Sequence, residues 1–453
     1  MLYDTTFGCS CGFNFATQVT DGRGNTTYHA YDNHGNRTNT IHAVSSAVED
    51  FEHNSYGQPT AHVLPDNGSG YRRRDVMTYY TNGPQAGYLR QQIVDSQNLA
   101  LTTTYEYDAV GNVLRLIDPS GDDSTNIVNQ LNQIVREISH AITTSNGVVR
   151  YQRDFVYDAN NNVVQADVQN VDESGGVSTN GYLTTTYAYD DLNRLTNVTQ
   201  EVDPSHNVVT QYAYDASGNR ILVVNGEASN GHQPNNVVST LYDERNLLYR
   251  EIRAPSDPAQ STTQFDYDAN GNLSRTSQGL EDAPLSTLYA YDGFNRRTTT
   301  TDAMGNVTTT HYDANGNVAS SRADGELTDV PGSAGNVRLA ETAYTYDAMN
   351  RVVQTDAAFF DPAAGTNIAG GHALTTTVYS PGSQILQTIN ANNRTNRTTY
   401  DSANRPSTAT DAKGNTTTLV YDADGNIVLT TQVDFSDLGS PASHSPPRTI
   451  TTA

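Results

Sequence analysis

Tryptophan is absent from the 453 residues, cysteine occurs twice and methionine four times. Cys9 and Cys11, as a lone Cys-Ser-Cys, supply neither a disulfide framework nor a four-ligand metal site, so they read as incidental thiols. Basic residues are scarce as well. Lys+Arg 26 against Asp+Glu 50 gives a formal net charge of -24, which repels phosphate backbones and anionic lipid head groups. Neither nucleic acid nor a membrane surface is an expected partner. No stretch approaches the ~18 apolar residues of a membrane helix, which argues against membrane insertion, and MLYDTTFGCS lacks a basic segment followed by an apolar run. Because Tyr3-Asp4 already reads like the inside of a repeat, the expectation is a fragment whose export signal lies upstream.

Signatures of common chemistry are missing too. There is no Gly-x-Ser-x-Gly elbow, no Gly-x-x-x-x-Gly-Lys loop and no His-Glu-x-x-His helix. The 11 His lack the paired spacing of a zinc site, and His140, His206, His232 and His372 fall in loop-like text, as surface histidines do. Leu, Ile, Val and Phe make up roughly a fifth of the chain, near the level at which highly charged sequences stay disordered. Against disorder stand 28 Tyr and abundant Thr and Val, residues that suit a half-buried pleated surface. The length is sufficient for a large core.

What the sequence does contain is a repeat. Tyr-Asp recurs at Tyr31, Tyr107, Tyr157, Tyr189, Tyr214, Tyr242, Tyr267, Tyr291, Tyr312, Tyr346, Tyr400 and Tyr421. The following residues are also fixed, as in Tyr31-Asp32 with Gly35, Tyr107-Asp108 with Gly111 and Tyr214-Asp215 with Gly218. Tyr267-Asp268 with Gly271, Tyr312-Asp313 with Gly316 and Tyr421-Asp422 with Gly425 continue the series. Other copies carry Asn in place of Gly, at Asn161, Asn193, Asn246, Asn295, Asn350 and Asn404. Gly and Asn are the residues that most readily accept positive φ, so this position is predicted to be a left-handed turn residue, with the preceding Asp capping the turn.

Degenerate copies near 53, 128 and 379 fill gaps, and the shortest units carry a second turn ten residues before the Tyr, at Asp302-Ala-Met-Gly305-Asn306 and Asp411-Ala-Lys-Gly414-Asn415. Asp21-Gly-Arg-Gly24-Asn25 precedes Tyr31 in the same way. One unit of about 21 residues is thus strand, turn, strand, turn. The extra residues of longer units, such as 157 to 189 and 312 to 346, fall on one edge of the array. A second aromatic two residues before the Tyr, as at Tyr105, Phe155, Tyr187, Tyr212, Phe265, Tyr289 and Tyr344, shares its face of the strand. The weak helical period in 127–138 reads in register as strand, turn, strand. The array spans 1–435, with turns near 31, 53, 107, 128, 157, 189, 214, 242, 267, 291, 312, 346, 379, 400 and 421. Residues 436–453 form a low-complexity tail or truncated end.

The Tyr-Asp-x-x-Gly-Asn/Arg units, with Asp-x-x-Gly-Asn turns between them, resemble the YD repeats of the bacterial Rhs family, which are related to toxin-complex cocoon subunits and teneurin shells. The resemblance implies an all-β fold in which tandem hairpins form an extended spiralling sheet, part of a hollow β-shell. It implies a non-catalytic scaffold, secreted or envelope-associated, that wraps or presents a C-terminal toxin or cargo domain in intercellular competition. The alternative is an adhesin whose variable loops bind glycans, with aromatics such as Tyr182 or Phe359-Phe360 as platforms; a weaker alternative is an enzyme with an unrecognised site. The family's terminal core segment has no counterpart before Ala453, so its self-cleavage carries over to no residue here.

No cofactor or metal is expected, and the oligomeric state is not set by the sequence. Asp422-Ala-Asp424-Gly425-Asn426 resembles part of a calcium loop but has no Glu at the twelfth position, and the repeat register explains it as a turn. The Tyr of each pair reads as packing filler between units rather than as an exposed sugar platform.

Overall fold

A computed structural model describes residues 2–3, 15–144, 147–171, 176–203, 205–326, 335–361, 366–434 and 448–452. Cys9, Cys11 and most of 436–453 lie outside the described residues, although Arg448–Thr452 forms a strand paired with Ile427–Asp434. The protein is a long antiparallel sheet of short strands, in which successive strands are joined by tight turns. The described helix is a single turn, Gly226–Ser229. The sheet is all-β for a local reason: runs such as Thr102-Thr-Thr-Tyr105 are β-branched or aromatic. Every tenth residue or so, an Asp-x-x-Gly/Asn sequence then forces a reversal.

The chain divides into two compact units. Unit 1 comprises 1–111, 117–121 and 310–453, and unit 2 comprises 112–116 and 122–309. Unit 2 pairs strand after strand in chain order, for example Tyr157 with Val163, Tyr189 with Leu195, Tyr214 with Arg220 and Tyr267 with Leu273. Each of these hairpins shifts register at the Tyr, the bulge that accompanies a turn with a left-handed residue. The segment 127–138 is strand Asp123–Val128, turn and strand Ile134–Ile138, as the repeat register requires.

Because strand follows strand, turns alternate between two edges. The YD turns line one edge; the turns between units line the other. The longer units place their extra residues on the between-unit edge, but as lengthened strands: Val163–Val171 and Val177–Tyr189 in one, Val352–Asp361 and Thr366–Tyr379 in another.

Length sufficient for a large core is not used to build one. Among the described residues the buried apolar side chains are Ala47, Ala61, Ala166 and Ala403. Most strand residues are half-buried. Cohesion therefore comes from strand ladders and unit-on-unit contacts, as in other repeat architectures.

Candidate functional site

The YD turn is one constellation repeated. Its Asp accepts, through Oδ1, the backbone N–H groups two and four residues on; in the turn of Asp268 these are Asn270 at 2.9 Å and Asn272 at 2.8 Å. Oδ2 accepts the Asn272 side-chain amide at 3.0 Å. The same bonds recur at Asp32 with Asn36, Asp215 with Asn219, Asp313 with Asn317 and Asp422 with Asn426. Asp108 accepts from Val110 and Gly111. Donors converging on the carboxylate stabilise its charged form. The side-chain amide of Asn36 is the main cause at Asp32, that of Asn219 at Asp215, of Asn272 at Asp268 and of Asn426 at Asp422, each held below the usual carboxylate range.

The predicted left-handed residues have positive φ: +85° at Gly35, +104° at Gly111, +89° at Gly218, +84° at Gly271, +87° at Gly316 and +90° at Gly425. The Asn copies do the same, with +59° at Asn193 and +60° at Asn295. In the copy at Tyr379 the left-handed residue is Ser383 and not Gly382, because the register counts from Ser380, which replaces the Asp.

Two functions of these residues were not read from the sequence. First, a left-handed Asn also accepts a hydrogen bond from the preceding unit: Asn162 donates to Asn193 at 3.0 Å, Asn219 to Asn246 at 3.0 Å, Asn272 to Asn295 at 2.9 Å and Asn317 to Asn350 at 2.9 Å. Second, where Arg ends the turn, it binds its own Asp and reaches the next unit. Arg194 donates to Asp190 Oδ2 and the Asp215 carbonyl, and lies over the Tyr214 ring at 4.8 Å. Arg405 does likewise with Asp401, the Asp422 carbonyl and Tyr421. The pairing of Asn with a following Arg in Asn193-Arg194, Asn295-Arg296, Asn350-Arg351 and Asn404-Arg405 was the available signal.

The repeat Tyr also ties units together. Its hydroxyl donates to the carbonyl that opens the strand after the preceding turn: Tyr214 to Leu195 at 2.8 Å, Tyr267 to Leu248 at 2.9 Å, Tyr291 to Leu273 at 2.9 Å, Tyr346 to Val318 at 2.9 Å and Tyr421 to Pro406 at 2.8 Å. Tyr31 reaches Ala16 at 3.2 Å. Tyr107 instead packs against Tyr80, Tyr88 and Tyr105. Tyr312 closes the strand Val307–Tyr312. Tyr79 makes the same bond, to Pro59 at 2.7 Å, and so marks a unit the sequence reading passed over; Tyr79-Tyr80 lies between the turns near 53 and 107, with Gly83 following.

Unit 1 adds a long-range seam in which between-unit turns of the first 121 residues meet YD turns beyond residue 310. Arg23 donates to the carbonyls of Tyr346 at 3.3 Å and Asp347 at 2.5 Å and to Asn350 Oδ1 at 2.7 Å. Asn315 donates to Asp21 Oδ2 at 2.6 Å. A Cβ at Gly22 would overlap the Ala314 carbonyl oxygen. Farther along, Asn67 donates to the Asp401 carbonyl at 2.9 Å, Arg73 to the Ala403 carbonyl at 2.9 Å and Asn98 to Ser402 Oγ at 2.7 Å. Ser120 N–H donates to Asp424 at 3.2 Å, which places the extra aspartate of the calcium-like turn in a protein contact. Burial works against ionisation of Asp21, yet the amides of Asn25 and Asn315 hold it at about 2.

Beneath the seam lies a polar knot. Asp95 is 0% exposed, with Tyr71 Oη at 2.5 Å, and its N–H donates to Asp75 Oδ1 at 3.0 Å, while Arg73 pairs with Asp75 at 2.9 Å. Burial first, then Asp95, pushes the Tyr71 hydroxyl up to about 12. Nearby, Glu49 accepts from both His62 and His42, at 2.7 and 2.6 Å, and the His62 bond in particular holds it at about 2. A cleft of about 220 Å³ opens between Asp21, Asn25, His42 and Met349.

Other sequence candidates lie apart from these contacts. His206, His232 and His372 pair with Asp203, Glu227 and Asp356 at exposed positions. Tyr182 Oη accepts from Gln152. Phe359 is exposed, and the side chain of Phe360 lies outside the described residues.

The family described as RHS Repeat matches residues 291–327 and 400–435, each match opening on the YD pair of one of the shortest units. No curated protein matches the sequence. Among solved structures, the Photorhabdus luminescens Tc holotoxin pore with a TccC3 mutation is similar at 15% identity and a TM-score of 0.57, over 94% of this chain and 22% of that one. This chain therefore spans less than a quarter of its length. A crystal structure titled TcdB2-TccC3-TEV matches at 14% identity over 94% of this chain and 26% of that one, with a TM-score of 0.41; the likeness of fold rests on the first. Residues 291–327 and 400–435 thus match RHS repeats in sequence, and the sheet is similar in fold to part of the Tc toxin structure.

Proposed function

We propose that the chain is a non-catalytic repeat scaffold, a segment of a secreted or envelope-associated shell that encloses or presents an effector domain. The observation that carries this reading is the seam of unit 1. Turn edges some 300 residues apart in sequence dock on one another (Asn98 and Ser402, for instance, are 304 apart), so the sheet returns against itself. A sheet that does so can wall off a volume, and exclusion of protease requires no catalytic group. Likeness to part of a Tc toxin structure supports the same reading. The described residues contain no helix long and apolar enough to cross a membrane.

The test is to read the source locus upstream of Met1 and beyond Ala453, express the whole product and treat it with protease. A variable domain that follows the repeats and survives digestion while the shell is intact supports the scaffold. A product that ends with the repeats and binds immobilised glycans would favour the adhesin instead.

A further inference from the structure

The seam of unit 1 joins edges, not strands. On either side the strands keep their ladders with chain neighbours, as Ala16–Thr20 does with Thr26–Tyr31 and Thr366–Tyr379 with Ile385–Ile389. The turns that meet are closed by bonds of their own: Asp21 accepts the N–H groups of Arg23 and Asn25 at 2.9 and 2.8 Å, and Asp347 those of Met349 and Arg351 at 2.8 and 3.0 Å. Among the described residues, one bond across the seam joins backbone to backbone, from Gly382 N–H to the Asp66 carbonyl at 2.8 Å. The other bonds involve a side chain on at least one side, and the apolar part is small: Ala403 is covered and Leu386 lies against Gly68. Parting the edges therefore breaks no ladder and no turn. Closure also buries two polar atoms without a protein partner where Arg73 meets the turn of Asp401, namely Arg73 Nε and Asn404 Oδ1. At Asn193, Asn246, Asn295 and Asn350 the equivalent oxygen accepts an amide of the preceding unit. Such orphaned atoms disfavour the closed form, because opening returns both to water.

We propose that the seam of unit 1 is a reversible latch: the between-unit turns at 21–25, 64–73 and 95–98 lift from the YD turns beyond residue 310 while the strands on both sides stay paired. It is the element of unit 1 that separates at the lowest cost, since opening trades polar contacts for water and exposes little apolar surface. The open form presents the YD edge from 380 to 404 and the loop 64–73 to solvent. This goes beyond the scaffold reading and rests only on the docking of the two edges, so it holds whether or not an effector is enclosed.

The test is hydrogen–deuterium exchange of the whole chain, read by mass spectrometry with fragmentation to single residues. The Gly382 amide, bonded only across the seam, should exchange ~100-fold or more faster than the hydrogen-bonded amides of the neighbouring strand Ile385–Ile389. Its rate should change little in low urea, because opening exposes turns and no strands. With Cys9 and Cys11 changed to Ser, a disulfide between Asn98→Cys and Ser402→Cys holds the seam shut, and the gap between Gly382 and the strand should shrink ~10-fold or more. Exchange of Gly382 in step with the strand amides overturns the proposal, since the seam would then part only when the sheet unfolds. A gap that the disulfide leaves unchanged also overturns it, since the exchange would then come from fraying of one turn. Failure of the disulfide to form in the folded protein would remove the docked seam and the latch together, while protection of an enclosed domain is decided separately by protease.

Discussion

Asn295 carries two separable jobs: it holds a left-handed backbone, and it accepts the amide of Asn272. Asn295→Gly keeps the first and removes the second, so chemical denaturation should show a loss of about 1 kcal/mol, the worth of one hydrogen bond. Asn295→Ala removes both and should cost about 1–2 kcal/mol more, the strain of a left-handed Cβ. Equal losses would show that only the hydrogen bond matters, and no loss in Asn295→Gly would show that only the backbone does. For the repeat Tyr, Tyr267→Phe should cost about 1 kcal/mol through its bond to Leu248, and Tyr267→Ala about 3 kcal/mol through lost packing. An unchanged melting temperature in both would remove the Tyr from the account of cohesion. The exchange of Gly for Asn was legible as a φ requirement because that is a property of one residue. The acceptor role was not, because its donor sits in the neighbouring unit.

At the scale of the element, the turn is stabilised by an ionised Asp, and this sets a pH dependence. The turn carboxylates have folded-state pKa values depressed below their unfolded values, Asp21 to about 2, and the strand residue Glu49 is likewise held at about 2 by His62 and His42. Their contribution is complete above the unfolded carboxylate range near 4 and is lost as pH falls through the folded values. The melting temperature should therefore be flat from pH 7 to about 5 and fall steeply between about pH 4 and 2. A profile that stays level to pH 2 would mean that the Asp bonds do not hold the turns. Strand, turn and edge were readable wherever Asp-x-x-Gly/Asn was intact. The unit at Tyr79 escaped because its turn, Thr81-Asn82-Gly83-Pro84, has no Asp and the longer loop through Tyr88 breaks the count. Insertions were placed on the right edge but read as polar loops; Val and Thr within them let the strands run on instead.

Over the larger reach of unit 1, the seam depends on close approach and on donors with buried partners. Gly22→Ala should loosen it, since the added methyl meets the Ala314 carbonyl. Arg73→Ala should cost about 3 kcal/mol, because it strips a mostly buried Asp75 of its charge partner as well as freeing Ala403. Proteolysis near the 64–73 loop reports either change. None of this was legible in the sequence. Arg23 sits at the x position of a turn motif that says nothing of its partner, Arg73, Asn67 and Asn98 lie in loops with no motif, and the partners are more than 300 residues away.

The most direct test of the account is a cysteine pair across that seam. With Cys9 and Cys11 changed to Ser, Asn98→Cys and Ser402→Cys are introduced together, the protein is mildly oxidised, and its peptides are read by mass spectrometry. The account predicts an intrachain disulfide between positions 98 and 402 in the folded protein, formed at concentrations too low for contact between chains. A folded, β-rich protein in which those two cysteines stay unlinked would contradict it.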